Sequence, residues 1–473
     1  MGQPQHRSFR IRHILLPVIL IAVASCSRPA RRPVSLVITG GGVVTMDPAH
    51  RILSPGAVAV DGRDIVAVGT PGEIARQFSA AETIDAAGAL VLPGLVNTHT
   101  HAPMVMYRGL ADDLALMDWL QKYIFPAEAK TVSAEMVRIG TRLAALEMIQ
   151  SGTTTFADMY YFEDEIARAT RAAGLRAVLG QSVIGFPVAD AKTPADGLAR
   201  AEAFIKEFAG DDLITPAPAP HSPYTVDEAT LRAVRGLADR YKTPILIHLA
   251  ETEDEVAIVR ARHKMTPTAW LESIGLLGPG VVAAHGVWLT DEDIGILKRT
   301  GASVSHNPES NMKLASGTAP VPKYLAAGVT VGLGTDGAAS NNDLDMFEAM
   351  RQAALLHKHA SRDPQAVPAA TALEMATMAG ARALGLDKAI GSIEVGKRAD
   401  LIVVAMDGAR QTPMYNPVSH LVYVARGGDV RSTVVNGKVL MRDRRMRTLD
   451  ERVVIADARA LALKVREAVA ATR

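Results

Sequence analysis

The sequence predicts an α/β protein, a (β/α)8 barrel carrying a small β-sandwich assembled from both ends of the chain. Three observations predict it. Eight short apolar, strand-like runs alternate with helix-like segments between residues 91 and 340, the pattern of a parallel sheet wound by crossover helices. Two glycine-punctuated stretches that alternate apolar and polar residues bracket this middle region, one near each terminus. The residues best suited to chemistry fall where middle-region strands stop, the rim at which such barrels keep their active sites.

Taken in order, residues 1–26 read as a leader. Arg7, Arg10 and Arg12 precede an apolar stretch from Ile14 to Ala24 and then Val-Ala-Ser-Cys, a secretory signal ending in a bacterial lipobox. Cleavage before Cys26 is expected to leave a lipidated N-terminus, and Ser27 after it suggests the outer membrane, facing the periplasm. An ordinary cleaved signal is the alternative. A membrane span is disfavoured, because this stretch, interrupted by Pro17, falls short of the ~20 residues a span needs. Membrane contact is thus expected only through a lipid on Cys26. As the only cysteine, it also excludes an intrachain disulfide and any cysteine-rich zinc cluster.

Residues 27–92 begin with a short polar tether and continue as VSLVITGGGVVTM, GAVAVDGRDIVAVG and TIDAAGALVLPG, read as small antiparallel strands. Residues 391–445 look the same in GSIEVGKRADLIVV and VRSTVVNGKVL, where Asn436 and Gly437 give a hairpin signal. One β-sandwich domain built from both segments is the economical reading, with a C-terminal helical segment over 446–473. Between them, residues 93–390 hold the barrel. Its expected strands are VLPGLVNTHTH, GTTTFADMY, RAVLGQSV, ITPAPAPHSP, PILIHLAET, VVAAHGVWL, ASVSHNPESN and VTVGLGTDGAAS. A helix is expected from an N-cap at Ser133 to a stop at Gly152. The fourth strand is expected to be short or distorted, since Pro216, Pro218 and Pro220 remove ladder donors.

With 473 residues, 48% of them hydrophobic and 21% charged, the chain can bury a large core. Lys and Arg number 51 against 50 Asp and Glu, a net charge of +1 with no charged block, so nucleic acid is not an expected partner. A small heterocyclic molecule is, and self-association is left open.

The chemistry-bearing residues form one series. His99 and His101 close the first strand, two apart and so on one side of it. His248 ends PILIH, His285 ends VVAAH and Asp336 ends VTVGLGTD. One such histidine would ordinarily be a hydrogen-bonded polar group; five metal-type side chains at the ends of four strands point to a metal site. Imidazole and carboxylate without thiolate suit one divalent ion, Zn2+ above all, although Fe2+, Co2+ or Mn2+ would also be held. Such an ion lowers the pKa of bound water from 15.7 to roughly 7. Glu251, three residues after His248, is placed to take the water proton and pass it to the substrate. His306 reads as ordering the rim and His357 as a helix-surface residue.

These residues resemble the amidohydrolase superfamily, specifically its methylthioadenosine/S-adenosylhomocysteine deaminase and triazine hydrolase branch. The resemblance runs from Val34 to about Leu440 through PGLVNTHTHAPM, RGLADD, PHSPYT, HLAETEDE, AAHGVWL, SHNPESNMKLASGTAPV and LGTDGAASNN. It implies a metal-dependent hydrolase barrel with ligands His99, His101, His248 and Asp336. It also implies Glu251 as proton shuttle, His285 as the residue orienting the attacking water, and Asp336 as acceptor of the water proton. It further implies substrate contacts: Trp119 packing on the purine, Glu128 on ribose hydroxyls, His221 on the nucleoside and Ser340 on the base. Unaided, Trp119 reads as a core aromatic and Glu128 as a solvated carboxylate. Where members acting on S-adenosylhomocysteine are expected to carry arginine, this chain has Gln181, with Arg200 the nearest candidate. An amide cannot replace a guanidinium against a carboxylate, so a neutral purine nucleoside or another aminated heterocycle is expected.

The implied reaction is hydrolytic deamination of an aminopurine nucleoside or related N-heterocycle. The zinc deaminase fold with His-x-Glu and Pro-Cys-x-x-Cys is excluded by the single cysteine. The rivals are a triazine-type or cyclic-amide hydrolase on the same site and a catalytically silent, lipid-anchored binding protein.

Overall fold

The computed structural model describes residues 1–5 and 30–470. Cys26 and the apolar leader lie outside the described residues, and no helix among those described is long and apolar enough to cross a membrane. All eight expected barrel strands form: β1 (Leu95–Thr100), β2 (Thr153–Tyr160), β3 (Arg176–Val183), β4 (Ile214–Pro220), β5 (Ile245–Leu249), β6 (Val281–His285), β7 (Ser303–His306) and β8 (Val331–Leu333). They are parallel and fall into two four-stranded sheets, ordered β4-β3-β2-β1 and β5-β6-β7-β8. The helix before β2 runs Ala134–Ser151; Ser133 Oγ accepts the Met136 N–H at 3.2 Å, and Gly152 ends it at φ 89°. Such a cap stabilises a helix by about 1 kcal/mol.

Strand β4 is neither short nor distorted on its β3 side, where Ala177 to Val183 pair residue for residue with Ile214 to Pro220. The reason is parity. Successive residues of a strand turn their backbone groups to opposite neighbours. The Leu213 carbonyl accepts from Ala177 of β3, which places residues 215, 217 and 219 toward β3 and all three prolines toward β5. Pro216 O accordingly accepts from the Thr243 hydroxyl just before β5. The missing donors fall on one seam, and there the barrel divides into its two sheets.

The sandwich joins both chain ends. One sheet has the order Asp64–Gly69, Ala57–Asp61, Arg32–Thr39, Phe78–Asp85; the other runs Arg445–Met446, Lys438–Arg442, Val430–Val435, Leu401–Ala405, Ala89–Pro93, Gly42–Val44, Ile52–Leu53. Leu401–Ala405 pairs antiparallel with Ala89–Pro93, and Leu36, Ile38, Val91, Leu401 and Val434 share one apolar cluster. Two expectations need correction. The strands are not all antiparallel, since Arg32–Thr39 lies parallel to Phe78–Asp85 and Gly42–Val44 parallel to Ala89–Pro93. GSIEVGKRAD forms no strand, because Gly391 (φ 91°) and Gly396 (φ 92°) bend it and leave only an Asp64–Arg398 bridge. Asn436 (φ 51°) and Gly437 (φ 75°) make the expected hairpin turn.

VLPGLVNTHTH, read as one strand, is two. Ala89–Pro93 belongs to the sandwich and β1 to the barrel, with Gly94 at the crossing. A Cβ there would stand 2.0 Å from Thr154 Oγ1, so only glycine passes. Below the rim the barrel is filled by Val96, Ala157, Val178, Ala217, Leu246 and Val282. The functional residues therefore sit on a packed floor.

Candidate active site

The rim brings the strand-end residues together. Nε2 of His99 and Nε2 of His101 each lie 3.4 Å from Asp336 Oδ1, and Nε2 of His248 lies 3.4 Å from Nε2 of His101. His99, His101 and His248 form one group whose donor atoms lie within 4.8 Å of one another; His99, His285 and Asp336 form a second. Some of these residues also close the barrel seams, since Asp336 N–H donates to His99 O at 3.0 Å and His248 N–H to His221 O at 3.1 Å. The donor cluster and the closure of the fold are one construction.

The imidazoles are turned for metal binding. His101 Nδ1 donates to Met159 O (2.6 Å), His248 Nδ1 to His221 O (2.8 Å) and His285 Nδ1 to Asn311 Oδ1 (2.9 Å). An oxygen acceptor fixes the proton on Nδ1 and leaves the Nε2 lone pair facing inward. His99 Nε2 is buried without a hydrogen-bond partner, an orphan that a cation would satisfy. Burial lowers His99 to about 4 and His248 well below the usual imidazole range, the latter with help from His221. For Asp336, burial acts upward but is outweighed by the nearby His99, then by His285 and His101, and its pKa falls well below the ordinary value. Inward-facing imidazole nitrogens beside a carboxylate are the donors a divalent ion requires, so the residues fit such an ion.

Glu251 faces the same point. It is 8% exposed, and its Oε2 lies 3.7 Å from His285 Nε2, which is 4.0 Å from Asp336 Oδ2. Burial, then the neighbouring Asp336 charge, raises Glu251 well above the carboxylate range. Asp336 Oδ1 accepts Gly337 N–H at 2.7 Å, while Oδ2 accepts the hydroxyls of Ser310 (2.7 Å) and Ser340 (3.0 Å). Ala250, His285 and Asp336 all hold positive φ, 49°, 75° and 62°. Local strain of this kind collects at functional sites.

The amidohydrolase family profile matches residues 90–440. The chain belongs to this family. It is 50% identical to a 5-methylthioadenosine/S-adenosylhomocysteine deaminase of Syntrophobacter fumaroxidans, over 91% of this chain and 98% of that one. It is 49% identical to a 5′-deoxyadenosine deaminase of Methanosarcina barkeri, over 89% and 96%. Among solved structures, an adenosine deaminase from Xanthomonas campestris with bound zinc superimposes with a TM-score of 0.91 at 41% identity, covering 93% of this chain and 100% of that one. The chain is therefore a hydrolase acting on carbon–nitrogen bonds, with a metal-binding site.

Above the donor set this amidohydrolase has a cavity of about 700 Å³, counted to its open mouth, lined by Trp119, Glu128, His221, Glu251, His285, Asp336 and Ser340 among others. Trp119 is 6% exposed and its Nε1 has no partner. Glu128 is no solvated carboxylate: it accepts the Tyr160 hydroxyl at 2.6 Å, and burial raises it to about 7. Both belong to a helical wall that passes through a π-turn at Leu120–Ile124, an irregularity frequent at functional sites. His221 Nδ1 is 3.0 Å from Thr225 Oγ1, and burial, with His101 and His99, lowers its pKa to about 3. Ser340 lines the cavity, yet its hydroxyl is engaged with Asp336 and Ser310 (3.1 Å).

Gln181 does not line the cavity. Gly180 faces the barrel interior and Ser182 the cavity, so period-two alternation turns Gln181 toward the helices, where its amide donates to Asp190 Oδ2 at 2.9 Å. His357 is likewise not on the surface: it is 2% exposed, with Nε2 3.0 Å from His306 Nε2. Sequence reasoning assigned no role to Asn311 or Ser310, nor to Glu255, whose carboxylate accepts the N–H groups of Ala250 (2.7 Å) and Glu251 (3.1 Å). All three stand inside quoted motifs, SHNPESN and HLAETEDE, and that was their only signal.

Proposed function

We propose that this protein removes the exocyclic amine of an adenine-type nucleoside by hydrolysis, with zinc as its ion. The observation that carries the proposal is the meeting of two carboxyls at one point, Glu251 Oε2 3.7 Å and Asp336 Oδ2 4.0 Å from His285 Nε2, with burial pushing Glu251 up while the surrounding imidazoles hold Asp336 down. Titratable neighbours driven apart in this way identify an acid and a base. His99, His101, His248 and Asp336 would hold the ion, which would make a water acidic enough to react near neutral pH. Asp336 is placed to take one proton from the attacking water as the water oxygen bonds to the amine-bearing ring carbon. Glu251 gives its proton to the adjacent ring nitrogen. Asp336 then returns its proton to the amine, which leaves as ammonia, and Glu251 recovers a proton from the new hydroxyl as the carbonyl forms. His285, between Glu251 and Asp336, orients the attacking oxygen. Trp119 stacks on the base, Glu128 accepts from the ribose hydroxyls, and His221 contacts the nucleoside.

The deaminase names of the relatives support this reading over a triazine-type hydrolase, and nothing in the comparisons supports a silent, lipid-anchored binding protein. The test is ammonia release by zinc-loaded protein from adenosine-type nucleosides, with metal content assayed. Release that stops on chelation and returns with zinc is the expected result. One ion per chain without release from any nucleoside would move the assignment to another leaving group.

A further inference from the structure

Three helices of this chain open with the ordinary capping box, in which the acid at the third helical position accepts the N–H of the N-cap threonine. Glu73 does so at Thr70, Asp196 at Thr193 and Asp293 at Thr290, at 2.8, 2.9 and 2.9 Å. The helix Glu253–His263 departs from this pattern. Its N-cap Thr252 still receives the Glu255 N–H on Oγ1 at 3.3 Å, yet the Glu255 carboxylate passes over the Thr252 N–H and reaches one and two residues further back. Oε1 accepts the N–H of Ala250 at 2.7 Å and Oε2 that of Glu251 at 3.1 Å. Those two N–H groups belong to the turn that carries Glu251 away from β5. Ala250 holds a left-handed φ of 49°, a conformation that L-residues avoid. Its carbonyl accepts the N–H groups of Val287 (3.0 Å) and Trp288 (2.9 Å) from the segment after His285. With Glu255 only 3% exposed, its two oxygens are spent on this turn rather than on solvent.

We infer that Glu255 is a positioning residue for the proton path: its carboxylate fixes the Ala250–Glu251 turn and so aims the Glu251 carboxyl at the point it shares with His285 and Asp336. This rests on the reading of Glu251 as the acid of a deamination. The turn requires two acceptors at one reach. An amide has one oxygen, and its Nε2 would set a donor against the second N–H. An aspartate keeps both oxygens but is one methylene shorter, and the aspartates at Thr193 and Thr290 show where that length ends, on the N-cap N–H. Glu255→Asp should therefore cap the helix in the ordinary way and release the turn, which separates capping from aiming.

The experiment measures kcat and KM for ammonia release from adenosine and 5′-methylthioadenosine by zinc-loaded Glu255→Gln and Glu255→Asp, each alone and combined with Glu251→Gln, with zinc content assayed. Each single variant should lose about 10- to 100-fold in kcat, the cost of a misplaced catalytic group. KM should stay within about twofold of the wild type, and zinc content should be unchanged. In the Glu251→Gln background the same changes should cost less than about twofold, because the group they aim is already disabled. Wild-type kcat in Glu255→Asp overturns the proposal and leaves Glu255 a helix cap. A loss as large with Glu251→Gln as without it also overturns the proposal, because the effect then bypasses Glu251. No ammonia from the wild-type protein overturns the deaminase reading alone, and the crystal structure of Glu255→Asp then decides the positioning role. A Glu251 carboxyl turned away from His285 supports that role, and one still 3.7 Å from His285 Nε2 overturns it.

Discussion

The floor of the cavity and its walls obey different rules. On the floor, His99, His101, His248, His285 and Asp336 stand at or just beyond the ends of β1, β5, β6 and β8, and backbone bonds from Asp336 to His99 and from His248 to His221 stitch the barrel shut. The walls are the irregular helical run Leu116–Thr131 and the loop at Phe186–Ala189, segments that no barrel strand dictates. The contrast separates chemistry from selection. A change on the floor should strike turnover with every substrate, while a change in the wall should alter which substrate is preferred, how tightly it binds and how stability depends on pH.

The sharpest break should come at Glu251. Glu251→Gln keeps the shape of the neutral acid but has no proton to transfer, so kcat is expected to fall about 10²- to 10⁴-fold. Zinc content should match the wild type, because Glu251 is not among the donors of either group. A variant that keeps more than about a tenth of wild-type kcat would remove Glu251 from the proton path.

On the wall, Glu128→Gln should show the opposite signature, weaker nucleoside binding with higher stability. Burial raises Glu128 from 4.5 to about 7, so folding favours its protonated form. Its contribution is intact below about pH 4.5 and is lost as pH rises through 7. The amide does not titrate and still accepts the Tyr160 hydroxyl. Glu128→Gln should therefore equal the wild type in denaturant unfolding near pH 4.5 and exceed it by on the order of 3 kcal/mol at pH 8. Parallel curves across that window would show that Glu128 stays ionised in the folded protein.

The same division decides what was legible in the sequence. The floor was legible because a strand end fixes position and direction together, so residue type at eight strand ends sufficed to gather the donors. Where the reading of His357, Gln181 and the β4 prolines failed, an unused periodicity was at fault. Met346, Met350, Ala353 and His357 lie on the buried stripe of the helix Met346–Ser361, so 3.6-residue spacing already places His357 inside. Alternation along β3 already turns Gln181 away from the cavity. The prolines of β4 misled in the same way, since all three share one parity and cost one seam only. The wall had no periodicity to read. The roles of Trp119 and Glu128 came from resemblance alone, and the loop at Phe186–Ala189 takes a course that only tertiary structure defines.

The smallest expected effect lies between floor and wall, at Asn311, and it tests whether ring orientation on the floor needs help from beyond the strand ends. His285 Nδ1 has two amide neighbours of opposite demand. Asn311 Oδ1 accepts at 2.9 Å and favours the proton on Nδ1; Asn307 Nδ2, a donor at 3.4 Å, favours it on Nε2. The shorter contact wins in the native site. Asn311→Ala hands the choice to Asn307 and puts a hydrogen on Nε2, the nitrogen facing Glu251 and Asp336. Loss of such an orienting partner costs about 10- to 100-fold, expected here in kcat for adenosine and alkylthio nucleosides alike, with KM little changed. Asn311→Asp keeps an oxygen acceptor at the same place and should recover most of the loss. If Asn311→Ala instead changed substrate preference, Asn311 would belong to the wall; if Asp failed to rescue, packing rather than the tautomer of His285 would be what Asn311 provides.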